Sequence, residues 1–112
     1  MIDVNYNTEN GKKNVVIKML NKNAITGVEA MEFANIINGI DKDTESAVID
    51  IEDVKLFTSQ GIGMILNAHI VLKKNNTKLK IINASDSTRK LFNMTKLDYV
   101  IPVEYKKTIN ND

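Results

Sequence analysis

The stretch Val48-Ile49-Asp50-Ile51-Glu52-Asp53-Val54-Lys55-Leu56-Phe57-Thr58-Ser59-Gln60-Gly61-Ile62-Gly63-Met64-Ile65-Leu66 carries an apolar, β-branched run through a short acidic connection into a helix start. Ser46-Ala47-Val48-Ile49-Asp50-Ile51 reads as a buried strand, too short and too rich in branched residues for a helix. From Ser59 to about Lys74, Ile62, Ile65, Leu66 and Ile70 recur at helical spacing, and Asn75-Asn76 ends the pattern. Leu79-Lys80-Ile81-Ile82 then supplies another strand. A strand, a helix and a second strand predict parallel neighbours joined by a right-handed crossover, the unit of the α/β class.

Upstream, Ile2-Asp3-Val4-Asn5-Tyr6 and Val15-Val16-Ile17-Lys18-Met19-Leu20 flank an Asn10-Gly11 turn, which predicts a hairpin. Thr26-Gly27-Val28-Glu29 has the spacing of a capping box and should open a helix. Ala30, Phe33, Ala34 and Ile37 give that helix one apolar stripe, and Gly39 is expected to end it in a left-handed cap before a solvated loop at 41–45. Downstream, Ser85 should cap a third helix with Asp86 in its first turn and Thr88, Leu91 and Phe92 inward. Tyr99-Val100-Ile101 is expected as a last strand, closed by Pro102. The order β-β-α-β-α-β-α-β predicts one domain over residues 1–103: a mixed sheet of four to five strands with parallel neighbours, covered by three to four helices. The tail 104–112 is expected to fray, having few apolar residues.

Composition narrows the function. The 112 residues contain no Cys, no Trp and one His, so thiolate chemistry, cysteine metal sites and multi-histidine metal sites are excluded. A net charge of +1 and a single arginine, Arg89, argue against nucleic-acid binding. No run reaches the ~18 apolar residues of a membrane span, and the first residues lack a signal-peptide pattern, so a cytoplasmic protein without membrane insertion is expected.

Few residues offer chemistry. Asp50, Glu52 and Asp53 gather at a strand end, where carboxylates can hold Mg²⁺ or move protons, but solvated strand-end charges are the expected reading. His69 lies one heptad after Ile62 and is expected as a packed or hydrogen-bonded core histidine, roughly 15 Å along the helix from Ser59. Gly61-Ile62-Gly63 is not a phosphate loop, and no Gly-x-Ser-x-Gly elbow surrounds Ser59. No catalytic set, metal or cofactor is expected. What stands out is a second stripe on the same helix, comprising Gln60, Met64, Asn67, Ala68 and Val71 opposite the first. It reads either as a helix covered on two sides or as a surface for a partner, where Met64 would suit the contact.

These residues resemble the STAS domain family of anti-sigma factor antagonists. The stretch 48–66 is similar to the family's central signature, in which an apolar strand meets an Asp-Ser-Ser-Gly-Leu-Gly-like turn. Leu79-Lys80-Ile81-Ile82-Asn83-Ala84 looks like the family's next strand, Ser85 to Met94 like its following helix, and Thr95-Lys96-Leu97-Asp98-Tyr99-Val100-Ile101-Pro102-Val103 like its Thr-Gly-Leu-Asp-x-x-Phe-Pro-Ile ending. The resemblance implies a STAS fold and a switch protein, not an enzyme. Such an antagonist binds an anti-sigma factor that is also a serine kinase, is phosphorylated at the start of the second helix, and is reset by a PP2C-type phosphatase. Phosphate brings about −2 charge into a neutral contact surface and opposes binding.

The departure from the family lies at the acceptor itself. The family's modified serine directly precedes the glycine, and that position is Gln60 here. The resemblance therefore implies Ser59 or Thr58 as shifted acceptors, or constitutive binding with Gln60 standing for the unmodified state. Gln60, Gly61, Gly63, Met64, Asn67 and Ala68 are the implied contact residues, and the protein is expected as a monomer or weak dimer. The acid found near the end of the family's second strand has no counterpart in Leu20-Asn21-Lys22-Asn23-Ala24-Ile25. A second reading is a STAS-like module that binds a small ligand, or regulates a transporter or other assembly, without phosphorylation.

Overall fold

Five strands form one sheet in sequential order, β1 (Ile2–Glu9), β2 (Lys12–Met19), β3 (Thr44–Asp50), β4 (Lys78–Ala84) and β5 (Val103–Tyr105). The computed structural model describes residues 2–20, 25–55 and 57–107. Residues 21–24, most of the segment that lacks the family's acid, lie outside these, as do Leu56 and the tail residues 108–112. The β1–β2 hairpin is antiparallel and closes on Asn10-Gly11, both at positive φ (55° and 77°), the turn whose twist matches that of the flanking strands. The β2–β3, β3–β4 and β4–β5 pairs are parallel.

The crossovers carry α1 (Gly27–Asn38), α2 (Ser59–Lys74) and α3 (Asp86–Thr95) followed by the short α4 (Leu97–Val100). Because every parallel step moves one strand in the same direction, right-handed crossovers place all helices on one face of the sheet. Burial follows. Val15, Ala47 and Leu79 lie in one row across β2, β3 and β4 and Ile17, Ile49 and Ile81 in the next, all buried under the helices. On the opposite face Val16, Lys18, Val48, Asp50, Lys80 and Ile82 are half-buried, and Lys80 pairs with Glu104 at 2.8 Å. The mixed five-stranded sheet with four helices agrees with the architecture expected from the sequence.

Local signals explain most helix ends. Thr26 and Glu29 form the capping box, with Glu29 Oε1 accepting from the Thr26 amide at 3.1 Å. Ser85 Oγ accepts from the Thr88 amide at 3.2 Å and starts α3. Gly39 departs from expectation: its φ is −95°, so the α1 cap is not left-handed. Instead Asn76 adopts the left-handed conformation (φ 59°) after α2, its amide donating to the Lys73 carbonyl and that of Thr77 to Leu72. This is a Schellman ending, with asparagine in the position glycine usually takes.

Two further expectations at the C-terminal end are corrected. Tyr99-Val100 belongs to α4, not to a strand, and strand pairing begins only after Pro102, whose carbonyl accepts from the Ile81 amide at 3.0 Å. Residues 104–107 are likewise not all frayed. Glu104 and Tyr105 complete β5, and the Lys106 amide donates to Ala84 at 2.8 Å. Arg89 stacks on the Tyr105 ring at 4.0 Å. Burial raises the Tyr105 phenol above its ordinary pKa, with the Asp98 carboxylate adding to the effect and Arg89 opposing it.

Candidate functional site

The start of α2 is built from three side chains with different tasks. Phe57 is buried just before the helix and meets Phe92 of α3 edge-to-face, ring centroids 5.2 Å apart. Thr58 is the N-cap, its hydroxyl accepting from the Gly61 amide at 3.4 Å. Ser59, the first helical residue, is exposed. Of the two expected acceptor residues, Thr58 thus has its oxygen engaged in the cap while Ser59 stands clear.

The exposed Gln60 reaches sideways. A Cβ at Gly27 would lie 3.2 Å from Gln60 Nε2, so the amide lies beside the first residue of α1. Gly61 is buried, and a Cβ there would fall 2.7 Å from the Phe57 ring and 3.2 Å from Ile25. Gly63 is exposed with no atom within 4 Å of its missing Cβ. The two glycines should therefore answer oppositely to alanine. Gly61→Ala should destabilise by about 1–3 kcal/mol, since the Phe57 ring is held by Phe92 and cannot step aside. Gly63→Ala should stabilise by up to about 1 kcal/mol through helix propensity. Urea unfolding midpoints check both signs.

The faces of α2 differ from the sequence expectation. Gly61, Ile62, Met64, Ile65, Ala68 and Leu72 are buried, whereas Leu66 is 37% and Ile70 55% exposed. Gly61, Met64 and Ala68, expected as contacts, thus turn their side-chain positions into the core. Leu66 and Ile70, expected inside, face out. The helix packs on the sheet and against α1, and the inward arc takes the facing edges of the two stripes read from the sequence. Ser59, Gly63, Leu66 and Ile70 now fall within roughly 60° of one another on the outward side. Asn67 and Gln60 are exposed beside them, toward α1, where Val28 (78%) and Met31 (70%) are also exposed. The result is a mostly neutral, apolar strip that runs from a serine at the helix start.

The other candidates are placed elsewhere. Asp50 Oδ1 accepts from the Glu52 amide and from Asn83 Nδ2, each at 3.0 Å, and so pins the turn after β3 to β4. Glu52 and Asp53 line an open hollow of about 530 Å³ with Ser85, Ser87 and Lys106, whose Nζ donates to the Glu52 carbonyl at 2.9 Å. Among the described residues no three His, Asp or Glu side chains gather as metal ligands. His69 is half-buried and lines a groove, not enclosed in the core, although it lies on the same side of α2 as the buried Ile62 and Ile65. No described helix is long and apolar enough to cross a membrane.

Comparison with known proteins accords with this geometry. Among curated proteins none is similar enough in sequence to count as a match. In fold, the chain is similar to an anti-sigma factor antagonist from Mycobacterium paratuberculosis (21% identity, TM-score 0.68, covering 97% of this chain and 88% of that one). It is also similar to the anti-sigma factor antagonist SpoIIAA in its unphosphorylated form (16%, 0.65, 95% and 90%). The same fold occurs within the murine Solute Carrier 26 family member A9 anion transporter, where the match covers 88% of this chain and 18% of the transporter (8%, 0.68). The STAS domain profile matches residues 9–111. With the sequential mixed sheet, the capped α2 start and this match over nearly its whole length, the chain belongs to the STAS domain family.

Proposed function

We propose that this protein is a non-enzymatic anti-sigma factor antagonist that works in the cytoplasm. It binds an anti-sigma factor with serine-kinase activity through the outward side of α2 and so releases a sigma factor. The observation that carries this reading is the alignment of exposed Ser59 with Gly63, Leu66 and Ile70 on one side of the helix. Flexible apolar side chains beside small residues suit a protein contact. Ser59 is the phosphoacceptor. A phosphate at the first helical position sits near the positive end of the helix dipole, so modification leaves the fold intact and acts on the partner. A PP2C-type phosphatase removes it.

Gln60 favours a second reading, in which the domain binds its target constitutively or regulates a larger assembly without phosphorylation. Glutamine offers no hydroxyl where the family carries its modified serine, and the fold also serves inside an anion transporter.

Incubation of the purified protein with its host's candidate anti-sigma kinases and ATP, followed by intact mass and site mapping, separates the readings. The expected result is one added phosphate, absent in Ser59→Ala, and a stable complex when ATP is withheld. A complex without phosphate supports the constitutive reading. Neither complex nor phosphate with any candidate overturns the antagonist function.

A further inference from the structure

The groove that His69 borders lies at the opposite end of α2 from Ser59. It has a volume of about 370 Å³ and is lined by His69 and Lys73 of α2, by Asn76, Thr77, Lys78 and Leu79 at the entry to β4, and by Val100 and Pro102 after α3. That volume lies within the range of small-molecule sites. Thr77 and Leu79 are buried, so the floor is fixed by the sheet. The Thr77 hydroxyl is already committed to the Thr44 carbonyl at 2.9 Å.

His69 and Lys73 line the groove from α2, whereas strand alternation turns the Lys78 side chain, with Ser46 and Lys80, to the other face of the sheet; no carboxylate lines the groove. The carbonyls of Leu72 and Lys73, which would repel an anion at a helix C-terminus, accept from the amides of Asn75, Thr77 and Asn76 in the Schellman ending. The wall opposite the bases is apolar, and Val100 is 49% exposed there.

The geometry points to a binding site for a small amphipathic carboxylate. Its head would lie beside Lys73 and His69 of α2, and its apolar body against Leu79, Val100 and Pro102. A carboxylate fits better than a phosphate because the chain's sole arginine is stacked on Tyr105, away from the groove, which leaves Lys73 as a point charge and no guanidinium fork. This site does not depend on the kinase-binding reading, since it uses neither Ser59 nor the apolar strip beside it.

Octanoate titrated into the ¹⁵N-labelled protein, with 1-octanol as the uncharged probe of equal body, tests the assignment. Octanoate should shift the amides of His69, Asn76, Thr77, Leu79 and Val100, and octanol should bind at least tenfold more weakly. Lys73→Glu should weaken octanoate at least tenfold while leaving octanol unchanged and the rest of the amide spectrum intact. Equal binding of the two probes, shifts mapping elsewhere, or no shift at millimolar octanoate would overturn it. Lys73 is exposed, so the variant retains the fold and isolates the charge.

Discussion

Phe92→Ala should lower the unfolding free energy by about 3–5 kcal/mol. Phe92 is fully buried, and with Thr88 it is one of only two buried residues of α3. Its removal leaves a cavity between helix and sheet and deletes the edge-to-face partner of Phe57. The pairing itself contributes about 0.5–1.5 kcal/mol beyond buried area. Against a total stability of roughly 5–15 kcal/mol for such a domain, the loss is a third or more in most cases. The effect should also reach the start of α2, because Phe57 is the surface on which Gly61 rests. Chemical denaturation of the variant beside Met94→Ala, an exposed position on the same helix, provides the measurement. A shift below about 1 kcal/mol for Phe92→Ala would mean that α3 is held by something other than this ring.

Leu66→Asp combined with Ile70→Asp should weaken partner binding by at least roughly 30-fold, the factor for loss of one hot-spot residue at about 2 kcal/mol. Ile70 is 55% and Leu66 37% exposed, so the double change should cost the isolated domain about 1–3 kcal/mol, short of unfolding it. Met64→Asp supplies the contrast. On the sequence alone that substitution would weaken a contact and spare the fold, but Met64 is only 7% exposed, and an unpaired carboxylate there should unfold the domain. Circular dichroism and a binding isotherm for each variant separate the two roles. Undiminished binding by the Leu66/Ile70 variant would remove the outward side of α2 as the contact surface.

Why the sequence misplaced the face of α2 has a physical reason. Apolar residues occur on two sides of this helix, and periodicity fixes spacing without fixing which side turns inward. The choice came from packing: α2 lies on the sheet and against α1, and together they bury part of each stripe, Ile62 and Ile65 from the first and Met64 and Ala68 from the second. The serine at the helix start and the substitution at Gln60 were legible because they depend on a local turn. The line joining Ser59 to Leu66 and Ile70 was not, because it depends on what α2 packs against. The groove at His69 was hidden for a stronger reason. Its walls come from α2, β4 and the segment after α3, which are separated along the chain and meet only when β5 pairs with β4.

The ending shows the same division. Tyr99-Val100-Ile101 is rich in strand-forming residues, yet Lys96 in the left-handed conformation (φ 60°) ends α3 and turns the chain into α4. Pairing then starts at the Pro102 carbonyl, the point at which the crossover brings the chain level with Ile81. Signals that act within a few residues were set by the sequence itself: the Asn10-Gly11 hairpin, the Thr26–Glu29 box, the Thr58 and Ser85 caps, and the alternation of helix and strand that demands parallel pairing. Which stripe of α2 meets solvent, where the last strand begins and what the single histidine borders were decided by the tertiary structure, because each is fixed by contacts between segments that local propensity does not see.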